Sequence, residues 1–149
     1  MKRSFLVSLF AIILFANAAL GQEIPQSQVP SLIINNFQKS FSKVFDVEWE
    51  LDGENYKVEF ETSLFGPDHN VWYDKTGKQI RHKEEITKND LPQKVLATIS
   101  TTFNGFRIDD VKKITEGGKV IYTLELESRT EEWKVTFDAG GNILSKIAD

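Results

Sequence analysis

The sequence predicts an α+β fold in which a helix, followed by three to four antiparallel strands, occurs twice in tandem. Three observations lead there. Two proline-led apolar sets, Ile33, Phe37, Phe41 and Val95, Ile99, Phe103, step by four residues, the spacing of one helix face. Each set is followed by segments that alternate apolar and polar residues, the mark of half-buried strands. The two halves match position by position at offsets of 62 to 66 residues. One helix covers a four-stranded sheet face poorly, so the halves are expected to join into one antiparallel sheet with both helices on one face and the other face open.

The elements follow in chain order. Met1-Lys2-Arg3 is a short positive start, and Phe5 to Phe15 is apolar except for Ser8. That run is shorter than the roughly 20 residues a membrane helix needs, and small residues follow it in Ala16-Asn17-Ala18-Ala19-Leu20-Gly21. Residues 1–21 therefore read as a secretory signal peptide with no transmembrane segment left after its removal. Cleavage fits after Ala18 or after Gly21, the second being preferred. Residues 22–28 are polar, carry Pro25 and read as a flexible lead. The first repeat is assigned to 29–88 and the second to 89–149, both within one globular domain.

Pro30 and Pro92 suit a helix start, where the missing N–H costs nothing. Asp46-Val47 matches Asp110-Val111, and Tyr56, Val58, Phe60 match Tyr122, Leu124, Leu126 as inward strand positions. Asp52-Gly53 and Gly117-Gly118 sit where the first hairpin of each half should turn. Val71 to Gly77 matches Val135 to Gly141, each closing on an Asp-to-Gly turn before a last strand through Ile80 or Leu144. The aromatics Tyr56, Phe60, Tyr73, Tyr122, Trp133 and Phe137 fall on the helix-facing side. Trp49 shares parity with Val47 but matches Lys113, which leaves its side open.

Composition narrows the function classes. The 149-residue chain is 40% hydrophobic and 27% charged, a globular balance. Its formal net charge is −4 and contains no basic block, which argues against nucleic-acid binding. It has no cysteine, so disulfides, thiol catalysis and thiolate metal sites are excluded.

The residue patterns carry no catalytic constellation. His69, in Phe65-Gly66-Pro67-Asp68-His69-Asn70, reads as a solvated loop histidine: with Asp68 it offers two donors where a metal wants three or four. His82 lies between Arg81 and Lys83, a cationic setting for an ion, and no metal or cofactor is expected. Glu48, Glu50, Glu59, Glu61, Glu125 and Glu127 alternate outward along strands and lack the divided environments of an acid/base pair. Nucleophile elbows and phosphate loops are missing.

The pattern Val47-Glu48-Trp49-Glu50, then the Tyr56 strand, then Val71-x-Tyr73-Asp74-x-x-Gly77, returning as Val135-x-Phe137-Asp138-x-x-Gly141, resembles the PepSY-like, beta-lactamase-inhibitor-like domains of exported bacterial proteins. The resemblance spans residues 29 to 149 and implies a tandem repeat with a curved sheet. It also implies protein binding on the open concave face and a Gram-negative envelope, periplasmic or secreted. This chain departs from the true lactamase inhibitors in having no disulfide.

The resulting expectation is an exported, non-enzymatic domain that binds a protein or peptide on its open face, in an inhibitor-like manner. Trp72 lies between inward Val71 and Tyr73 and so points outward, either as a partner anchor or as a surface ring packed on its neighbours. The expected surface comprises Trp72 with Lys57, Glu59 and Glu61, Phe65 and His69 from the preceding loop, and Glu125, Glu127 and Lys134 from the second half. The alternative is an envelope module holding a small molecule between helices and sheet. A hydrolase without a familiar motif ranks last.

Overall fold

The computed structural model describes residues 21–149. The signal peptide expected over residues 1–21 lies, apart from Gly21, outside the described residues. The chain forms a nine-stranded antiparallel sheet in which every strand pairs with its sequence neighbours. The strands are β1 (Gln22–Ile24), β2 (Phe45–Asp52), β3 (Asn55–Glu61), β4 (Asp68–Tyr73), β5 (Gln79–Glu85), β6 (Arg107–Glu116), β7 (Lys119–Glu127), β8 (Glu132–Asp138) and β9 (Ile143–Ala148). Helix α1 (Ser31–Ser40) precedes β2, and α2 (Gln93–Thr102) precedes β6.

The expected flexible lead is corrected. Gln22, Glu23 and Ile24 pair with Leu51, Glu50 and Trp49 as strand β1, and a 3-10 turn over Gln26–Gln28 follows. Ile24 and Val29 are buried, so the segment is held by its apolar side chains despite its polar composition.

Pro30 and Pro92 stand immediately before their helices, in extended geometry. Their carbonyls accept the first helical bonds, from Ile33 and Ile34 and from Val95 and Leu96. Each helix buries the first two residues of its predicted stripe, and the third stands just past the helix end, Phe103 buried and Phe41 half-buried. Ile33 and Phe37 of α1 pack with Trp49, Val58, Phe60, Val71 and Tyr73. Val95 and Ile99 of α2 pack with Val111, Tyr122, Leu124, Val135 and Phe137. Trp49, whose side was open in the sequence, lies in the first cluster, edge-on to Phe37 with ring centroids 5.4 Å apart.

Small local devices fix the sheet. The ladders β2·β3 and β6·β7 each contain a bulge, and Asp46 and Asp110 adopt φ of 48° and 46° there. Aspartate tolerates that left-handed geometry better than a bulky residue, which is the physical content of the Asp46/Asp110 match. In the turn after β4, Asp74 Oδ1 accepts bonds from Thr76 N at 2.8 Å and Thr76 Oγ1 at 2.6 Å. The Thr76 hydroxyl, above all, holds the Asp74 carboxyl below its ordinary pKa.

Candidate functional site

Strand β4 sends alternate side chains toward α1 and away from it. Val71 and Tyr73 enter the core under α1, so Trp72 points away, as the sequence predicts. Lys57 is its cross-strand neighbour on β3 and Arg81 on β5. The Arg81 guanidinium lies 4.8 Å and the Lys57 ammonium 5.9 Å from the indole ring centre. The indole N–H donates to Asp52 Oδ2 at 2.7 Å. These neighbours leave Trp72 only 9% exposed, so the ring is packed under its neighbours, with two cations over it, rather than presented bare to solvent.

Lys57 also bonds Glu50 of β2 at 3.1 Å and Glu59 of its own strand at 3.5 Å, which ties two strands into one charge lattice. Farther along the same side, Glu59, Asn70, Lys83, Asp110 and Lys112 line a polar cleft of about 340 Å³. Burial pushes the Lys83 ammonium below its ordinary pKa, and neighbouring Lys112 and Lys57 push the same way. Glu61 accepts a bond from the backbone N–H of Gly66 at 3.2 Å and so braces the loop before β4.

The other expected residues divide into separate places. Glu125 and Lys134 are cross-strand partners 3.7 Å apart, and Glu127 is bonded to Arg107 at the end of its strand. Strands β4 and β7 are three strand spacings apart, about 14 Å, and Asp110 of β6 lines both the cleft beside Lys57 and Glu59 and a second one beside Glu125 and Lys134. Phe65 is 92% exposed, in the loop at the opposite end of β4 from Trp72. The expectation that Phe65 and His69 flank Trp72 is therefore corrected.

His69 is the larger correction. It is a strand residue of β4, not a loop residue, and its parity with Val71 turns it to the α1 side. Its ring stacks on Phe60 at 5.2 Å, and its side chain is 12% exposed. His82 reaches the same spot from β5: His69 Nδ1 and His82 Nε2 are 3.1 Å apart. Phe41 packs edge-on to His82. Glu84 lies cross-strand from His69, with Oε2 3.5 Å from His82 Nε2 and 3.9 Å from His69 Nδ1. Burial pulls both imidazoles below the ordinary histidine pKa, against the pull of Glu84. Arg81 and Lys83, which made this stretch look cationic, alternate onto the opposite face of β5. The cluster is not apparent from the loop reading of Phe65 to Asn70, because β4 begins at Asp68 and so includes His69. The signal was available in the parity His69, Val71, Tyr73 and His82, Glu84.

With this geometry in place, comparison with known proteins is informative. The family model described as "Putative beta-lactamase-inhibitor-like, PepSY-like" matches twice, over residues 18–80 and 54–145. A comparison with curated proteins finds no match. Among solved structures, the chain is similar to a DUF2874 family protein of Bacteroides uniformis, with TM-score 0.67 and 18% identity, covering 80% of this chain and 89% of that one. It is similar to a BLIP-like protein of Bacteroides fragilis, with TM-score 0.64 and 20% identity, covering 79% and 84%. A "putative periplasmic" protein of Bacteroides eggerthii gives TM-score 0.68 at 15% identity, covering 80% and 88%. At these identities the structures attest the fold, and the family model attests the kinship. The chain belongs to the PepSY-like, beta-lactamase-inhibitor-like family.

Proposed function

We propose that this chain is an exported, non-enzymatic binding domain, inhibitor-like in mode, whose two tandem repeats place both helices on one sheet face and engage a protein or peptide with the other. The observation that carries the reading is the ordered lattice around Trp72, in which Asp52 and two cations fix the indole and Lys57 joins Glu50 to Glu59. A pre-organised array of both charge signs on a sheet face is suited to select and orient a partner of complementary charge. Export is supported by the signal-like residues 1–21, and cleavage after Gly21 would leave β1 whole, beginning at Gln22. An envelope location is in keeping with the periplasmic description of the Bacteroides eggerthii neighbour. The packing of Ile33, Val58, Val71, Val95 and Phe137, all with exposures of 0%, favours this surface over a ligand chamber between helices and sheet.

The test is affinity capture from envelope and secreted extracts. The native protein serves as bait beside Trp72→Ala and Lys57→Glu variants whose melting temperatures have been checked. A protein held by the native bait and lost with both variants supports the reading. Equal capture by all three moves the site off this face. Empty lanes throughout count against a protein partner.

A further inference from the structure

We propose that His69, His82 and Glu84 form a binding site for a divalent ion of the zinc class, through Nδ1 of His69, Nε2 of His82 and Oε2 of Glu84. The site lies on the α1 side of the sheet, so it stands or falls independently of the Trp72 face. Two neutral imidazoles and one carboxylate are a donor set suited to zinc.

The geometry matches the ion. The three donor atoms form a triangle with sides of 3.1, 3.5 and 3.9 Å. A point equidistant from all three lies about 2 Å from each, the length of a zinc–nitrogen or zinc–carboxylate bond. No rearrangement of the strands is needed to bring the donors together, because His69 and Glu84 are cross-strand partners and His82 and Glu84 are two residues apart on one strand.

The surroundings supply the supporting contacts that such sites use. Thr62 Oγ1 lies 3.4 Å from the other ring nitrogen of His69, placed to accept its N–H and so hold the tautomer that frees Nδ1. Lys113 Nζ lies 3.4 Å from Glu84 Oε1, which orients the carboxylate and leaves Oε2 to the ion. Phe60 and Phe41 wall the rings.

The fold does not require this cluster. The corresponding strand pair β8·β9 has the same register 64 residues later: Trp133 pairs with Ala148 as His69 pairs with Glu84, and Val135 with Lys146 as Val71 with His82. There the spot is filled by Lys146 lying 3.7 Å over the Trp133 ring, a contact with no metal-binding capacity. One sheet position thus has a packing solution in one half and a convergent donor set in the other.

The experiment is zinc titration of the purified, chelator-treated protein by calorimetry, with histidine ring 15N shifts followed by NMR on the unaltered chain. The expected result is one equivalent bound, with His69 Nδ1 and His82 Nε2 moving to metal-bound positions. His82→Gln should weaken binding by more than the roughly 10–100-fold that loss of an outer contact costs, and Thr62→Val should fall within that range. The ring shifts are read without mutation, so a poorly folded variant leaves the result intact. Absence of stoichiometric binding overturns the proposal. So does an ion bound with both histidine rings unmoved, as it would be at the partly exposed Glu125, Glu132 and Asp149 group.

Discussion

Tyr73 is a case in which one atom works against the packing around it. Its ring is among the largest fully buried side chains, but the hydroxyl has no hydrogen-bond partner within the structure. Burial pushes its phenol pKa up to about 12. An unpartnered buried donor costs about 1–3 kcal/mol, whereas the ring itself is stabilising. Tyr73→Phe is therefore expected to raise stability by about 1 kcal/mol, read as a higher denaturation midpoint at unchanged m-value. A destabilised variant would mean that the hydroxyl is satisfied in solution. Trp49, whose ring centre is 6.5 Å from that of Tyr73, carries the same burden at its indole nitrogen.

At the scale of elements, each helix is tied to the turn between two strands by one side chain. Asn36 Nδ2 donates to Gly77 O at 2.8 Å, and Thr98 Oγ1 donates to Gly141 O at 2.8 Å. The glycines stand at φ of 81° and 82°, and a Cβ at Gly141 would meet the Lys94 carbonyl at 2.4 Å. Gly53 also has positive φ but open space around its missing side chain. Gly53→Ala should cost about 1 kcal/mol from backbone geometry alone, and Gly141→Ala clearly more, roughly 2–4 kcal/mol, because α2 must be displaced as well. Chemical denaturation of the pair checks it: equal losses would mean that the helix yields to the turn at no cost. The Asp-to-Gly turns were legible in sequence from their residue types. The helix contact that makes one glycine costlier to replace than the other was not, because it joins residues 43 apart.

For the whole molecule, two core clusters share one sheet. The first lies under α1 and the second under α2, and they meet through the pairing of β5 with β6, where Arg81 to Glu85 run against Glu116 to Lys112. A half of about 60 residues buries too little surface for firm stability by itself, and parting the halves would bare two long strand edges. The molecule should therefore unfold in one step. Val135→Ala, deep in the second cluster, should cost about 2–3 kcal/mol. It should shift the unfolding of the first cluster equally, when that cluster is followed by near-ultraviolet dichroism at Trp49 in a Trp72→Phe, Trp133→Phe background. A shift confined to the second half would show that the clusters melt separately.

Local pattern carried the helix stripes, the strand alternation and the turn residues, because each is set by neighbours within a few positions along the chain. The outward aim of Trp72 followed from the same period of two. What lies around a side chain was another matter. The cations over Trp72 come from β3 and β5, the polar residues 22–28 become a strand only because β2 offers them an edge, and His69, His82 and Glu84 meet only when β4 and β5 settle into register. Such contacts depend on which residues stand opposite one another across the ladder. That register is fixed by the burial of one apolar cluster with α1 and another with α2, so the surface lattice and the donor cluster were decided by the tertiary structure alone.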